Sequence, residues 1–122
     1  DYAIEKSPLI IKDKIIKASI LHIPFPANYF DFAFCIDLLQ ELPEEMIPAA
    51  IREIKRVSKS SLIVLPVLRN SSQKNINEFY SWSITALTAK THAEWSEILK
   101  NNDYQSYYSI FNINLNINEN KI

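Results

Sequence analysis

The chain has 122 residues, of which 13 are basic and 14 acidic, and a formal net charge of −1. That length holds one domain or less, and that balance excludes a general electrostatic pull on nucleic acid or on an anionic membrane. No residue is glycine, where a chain of this length averages about eight, so no glycine-rich dinucleotide or phosphate loop lies within it and positive φ has no cheap host.

The one cysteine, Cys35, lies in an apolar run and has no internal disulfide partner. A reducing, cytoplasmic setting is the expectation. No apolar stretch approaches the roughly 18 to 20 residues of a membrane span, and the opening DYAIEKSP lacks the pattern of a signal peptide.

Residues 2–12, YAIEKSPLIIK, read as a short helix or turn broken at Pro8. Residues 14–20, KIIKASI, are β-branched and read as a strand. Pro24 and Pro26 stiffen the next loop, and Ala27-Asn28 reads as a turn. The run Phe32-Ala33-Phe34-Cys35-Ile36 has almost no polar alternation, which fits a strand buried on both faces of a parallel sheet.

Residues 43–59 carry the clearest helical pattern. Ile47, Ala50, Ile51, Ile54 and Val57 recur at steps of three and four, and Pro48 moves the true start toward Ile47. Glu44 and Glu45 at the start, with Lys55, Arg56 and Lys59 near the end, complement the helix dipole. Residues 61–68, SLIVLPVL, read as a second apolar strand ending near Pro66. Strand, helix and strand of this kind make a βαβ unit of a parallel sheet.

Residues 69–81 are polar and loop-like. Thr91 and Glu94 form a capping box ahead of a helix whose face holds Trp95, Ile98 and Leu99. Residues 104–113 read as a strand, and the Ile/Asn alternation beyond Phe111 fits either an edge strand or an extended tail.

Four pieces together resemble the middle of class I S-adenosylmethionine-dependent methyltransferases: Ile23-Pro24-Phe25-Pro26 with Phe30-Asp31, Leu39-Gln40-Glu41-Leu42-Pro43, Arg52-Glu53-Ile54-Lys55-Arg56-Val57, and the helix in residues 91–103. The resemblance covers about residues 2–113. It implies an α/β, three-layer Rossmann-like sheet that is incomplete here. The family's first two strands and its glycine-rich loop should precede residue 1. Residues 1–68 would be the core β/α part and residues 69–122 a C-terminal helix and edge strands.

The resemblance also implies S-adenosyl-L-methionine as cofactor. Ser19 and Ile20 stand at the adenine end, and Cys35, Ile36 and Asp37 face its methionine part. Ser19 replaces the usual acid and Glu41 a common histidine, leaving Asp37 and Glu41 as weak catalytic candidates. Lys59-Ser60-Ser61 stands where the family has a Pro-Gly-Gly turn. The chemistry implied is in-line methyl transfer to an unidentified small-molecule or other acceptor, driven by proximity. The alternative is a degenerate, cofactor-free binding module.

Without the two missing strands a gap of about 14 Å would open in the sheet, at roughly 4.8 Å per strand. Its unpaired edges would invite self-association or pairing with another chain. No nucleic acid or membrane partner is expected, and no Cys/His cluster points to a metal.

Beside these sharper readings stand plainer ones. His22 reads as a loop histidine and His92 as an early helix residue. Asp31 reads as a turn cap, Cys35 as packed core, and Tyr80, Trp82, Trp95, Tyr107 and Tyr108 as core aromatics more than a pocket.

Overall fold

The computed structural model describes residues 2–112. Two short helices, α1 (Tyr2–Lys6) and α2 (Leu9–Lys12), flank Pro8. Strand β1 (Phe30–Ile36) follows the proline loop. Two 3₁₀ turns, Leu39–Glu41 and Glu44–Met46, lead into α3 (Ile47–Val57), and β2 (Ser58–Val67) follows at once. Helices α4 (Gln73–Trp82) and α5 (His92–Asn101) precede β3 (Tyr107–Asn112).

The sheet order is β1-β2-β3, and both pairings are parallel. Phe34 pairs with Leu62 and Ile36 with Val64, so β1, α3 and β2 form the expected βαβ unit. This is an α/β architecture consistent with an incomplete Rossmann-like methyltransferase fold.

The core lies on one face of the sheet. The α3 stripe of Ile47, Ala50, Ile51, Ile54 and Val57 is wholly buried. It joins Cys35, Leu39, Ile63, Leu65 and Val67, together with Trp95 and Leu99 of α5. Each buried isoleucine there contributes about 1.5–3 kcal/mol before entropy is counted. The capping box at Thr91 and Glu94 starts α5 as its sequence predicts.

Several expectations give way. Residues 14–20 are not a strand: among the described residues they join no β-ladder, only an isolated bridge between Ser19 and His22. β-propensity without a ladder partner leaves merely extended backbone.

Nor is β1 buried on both faces. Phe32, Phe34 and Ile36 are 40%, 70% and 57% exposed, because α3 and α5 cover the opposite side. Helix α4 reaches the wet face at its far corner, where Trp82 meets Phe111 edge-on.

Residues 73–82, read as part of a loop, are helical, started by the Ser72 hydroxyl accepting from the Asn75 N–H. Lys59, Ser60 and Ser61 belong to β2 and not to a turn, since α3 passes into the strand at Ser58 with φ −128° and ψ 146°. Asp31 lies inside β1, ion-paired with Lys59 at 2.7 Å, and caps no turn. The Ile/Asn alternation beyond Asn112 falls outside the described residues.

Candidate functional site

The proline loop is held by α3. The Arg56 guanidinium donates to the carbonyls of Ile23 (2.8 Å) and Phe25 (2.7 Å) and to both carboxylate oxygens of Glu53. Glu53 in turn accepts from the Ile23 N–H at 2.9 Å. The Asn28 N–H donates to the Arg56 carbonyl at 2.8 Å. These contacts hold the Glu53 carboxyl down at about 2, chiefly through Arg56 and then the Ile23 amide. Phe25, Tyr29 and Phe30 add a triad of rings with centroids 4.8 Å apart in each pair. Two residues of the Arg-Glu-Ile-Lys-Arg-Val segment thus work as a clamp on the loop before β1.

Beside this loop a groove of about 280 Å³ opens along β1. Ile20 and Ile23 line it from the loop, Ala33 to Leu38 from β1 and the residues after it, and Ile54 and Val57 from α3. Its walls are apolar, aliphatic with the one ring of Phe34, apart from the Cys35 thiol and the Asp37 carboxylate. Cys35 is 5% exposed, and burial pushes its thiol up to about 11, so it stays neutral and unreactive at neutral pH.

Asp37 ends the strand in the left-handed region, at φ 50°, with its N–H donated to the Val64 carbonyl at 3.2 Å. Burial first, and the Glu41 charge second, raise its carboxyl above the ordinary aspartate value. With no glycine in the chain, the three described positions at positive φ fall to Asn28, Asp37 and Asp103, the residue types that tolerate it best after glycine.

Of the residues singled out in the sequence, Ile20, Cys35, Ile36 and Asp37 share the groove. Ser19 is not in its lining: its hydroxyl accepts from the Leu21 N–H at 3.2 Å. Glu41 also lies outside the lining, accepting from the Ser83 hydroxyl at 3.2 Å. His22 sits in the turn after Ser19, and His92 is exposed at the start of α5. Trp95 is core, whereas Tyr80, Trp82, Tyr107 and Tyr108 are exposed.

Sequence reasoning passed over Gln40. It is buried, its carbonyl accepts from the N–H groups of Leu87 and Thr88, and its side-chain oxygen has no hydrogen-bond partner among the described residues. The Glu53–Arg56 clamp was also missed, although both residues stand in a segment singled out for its resemblance.

Every residue lining the groove falls within residues 2–64, the part of the chain matched by the sequence profile of a methyltransferase domain. The chain belongs to the class I S-adenosylmethionine-dependent methyltransferase family. A similar protein is an uncharacterized protein of Methanocaldococcus jannaschii, 37% identical over 73 residues. That match takes in 57% of this chain and 31% of the archaeal protein. The methyltransferase-family chain therefore spans about a third of the curated relative it matches. No solved structure matches it. Among the described residues of this methyltransferase-family chain, no helix is long and apolar enough to cross a membrane, and no group of three His, Cys, Asp or Glu is placed to hold a metal.

Proposed function

We propose that this chain supplies part of a domain that transfers a methyl group from S-adenosylmethionine to a small-molecule or other acceptor. The observation that carries the reading is the groove at the carboxyl end of β1, where Ile20, Cys35, Ile36 and Asp37 meet beside a parallel βαβ unit. Ligands of open parallel sheets collect at such strand ends.

The groove fits one end of that cofactor. Its apolar walls suit a flat ring or a thioether chain, and the Asp37 carboxylate suits an ammonium or a hydroxyl. Its lining holds no cation to meet a carboxylate, and its volume of about 280 Å³ lies at the low edge of the ~300–1,000 Å³ usual for ligand sites. Tight binding therefore requires polar groups beyond those lining the groove, and no reaction step is assigned to these residues. Their contribution is to bind, orient and exclude water.

Calorimetry with S-adenosylmethionine and its demethylated product tests this. Weak heats that fall in Asp37→Asn are expected. Absence of heat at millimolar ligand removes the cofactor reading. That outcome favours the second reading, a cofactor-free binding module, for which the Ser19 hydroxyl already engaged by Leu21 is the specific argument.

A further inference from the structure

The walls of the groove differ in what holds them. Ile54 and Val57 belong to the buried stripe of α3, Cys35 lies in the core, and Ile20 packs against that core. Ile23 has no such backing. It is half-buried, and from Ile23 to Tyr29 the loop joins no strand among the described residues.

Ile23 is held by its polar atoms instead. Its N–H donates to Glu53 Oε2 at 2.9 Å. Its carbonyl accepts from the Arg56 guanidinium at 2.8 Å and from the Phe25 N–H at 2.8 Å. The one donor and both lone pairs are thus used, so Ile23 meets a ligand with its side chain alone. The same guanidinium reaches the Phe25 carbonyl at 2.7 Å, while Glu53 takes its other N–H groups at 2.7 and 2.8 Å. A planar fork with five donors can meet two carbonyls and a carboxylate at once, which a lysine point charge cannot. The Arg56 and Glu53 side chains are 36% and 16% exposed, so the charge attraction itself is screened. What the pair supplies is geometry. Neither residue lines the groove.

A ligand that enters the groove needs the Ile23 wall in place. Ordering a loop at the moment of binding weakens affinity by roughly tenfold for each backbone residue fixed. The clamp has already fixed that segment of the loop.

We propose that Glu53 and Arg56 are positioning residues of the ligand site, acting through Ile23 to set the loop wall of the groove before a ligand enters. This role rests on the reading of the groove as one end of the cofactor site, and it adds two residues that touch no ligand.

Calorimetry with the demethylated product of S-adenosylmethionine, paired with hydrogen exchange, tests this. Arg56→Ala should raise the dissociation constant about tenfold or more. In that variant the Ile23 and Asn28 amides should exchange fast without ligand and slow again at saturation. In the wild type the ligand should leave both amides as they are. Glu53→Ala, which frees the Ile23 N–H, should act in the same direction and stands in if circular dichroism shows Arg56→Ala unfolded. Arg52→Ala, which removes the same charge from an exposed position of α3, should match the wild type in both measurements. An affinity untouched by the clamp variants, or lost without ligand-induced slowing at those amides, overturns the positioning role and leaves the cofactor reading standing. An equal loss in Arg52→Ala overturns it too, by making the effect one of charge. No heat from the wild type at millimolar ligand removes the cofactor reading and this role with it.

Discussion

Asp37 separates backbone geometry from charge at one position. At φ 50° a residue with a Cβ bears about 1–2 kcal/mol of left-handed strain. Asp37→Gly relieves that strain, but glycine loses about 0.5–1 kcal/mol more on folding than a residue with a side chain. The net expectation is a stabilisation of about 0.5–1 kcal/mol. Asp37→Val keeps the geometry with a β-branched side chain and should destabilise by at least about 1 kcal/mol.

Asp37→Asn keeps the backbone and removes the charge. Because burial and Glu41 raise the folded-state carboxyl above its ordinary 3.8, the fold favours the protonated form. Wild type therefore holds this margin below pH 3.8 and loses it as pH rises through the raised folded value. Asp37→Asn should accordingly gain on wild type at neutral pH and show no such gain in acid. Urea unfolding followed by the fluorescence of buried Trp95 at both pH values measures all three variants. Asp37→Gly as damaging as Asp37→Val would refute the backbone argument. Asp37→Asn losing stability at neutral pH would show a carboxylate that the fold uses rather than tolerates.

Arg56→Ala should free the proline loop, seen as faster amide exchange at Ile23 and Asn28 with little change across β2. The depressed Glu53 carboxyl gives a stabilising term that is present above the ordinary 4.5 and lost as pH falls toward about 2, so Glu53→Gln should flatten acid unfolding over that interval. The Cys35 thiol should react with a disulfide reagent far more slowly in the native chain than in urea at the same pH, and equal rates would contradict its burial.

The helix at 47–57 was legible because its five apolar positions repeat at helical spacing with charges set to its dipole. Parallel pairing followed from the unbroken apolar runs on either side of it. What the runs did not reveal is which face stays wet, since burial of Phe34 depends on a covering element and not on the strand itself. The helix at 73–82 was obscured by asparagine and serine. Its signal was present in Ser72 as cap and in the spacing of Ile76, Phe79 and Tyr80.

Of the candidate site, the strand-end residues Cys35, Ile36 and Asp37 were readable from their place after an apolar run. The loop clamp was not, because it joins atoms about 30 residues apart. The absence of glycine was read as leaving positive φ without a cheap host, and among the described residues it falls to Asn28, Asp37 and Asp103.

The seam between α3 and β2 has no linker: Val57 is helical, Ser58 is extended, and the Ser58 hydroxyl donates back to the Ile54 carbonyl at 2.7 Å. A lever without a joint transmits any tilt whole. Since Arg56 grips the loop one residue before that seam, loop, helix and strand travel as one piece. The groove they bound is thus preset in width, and a ligand can select it but not reshape it.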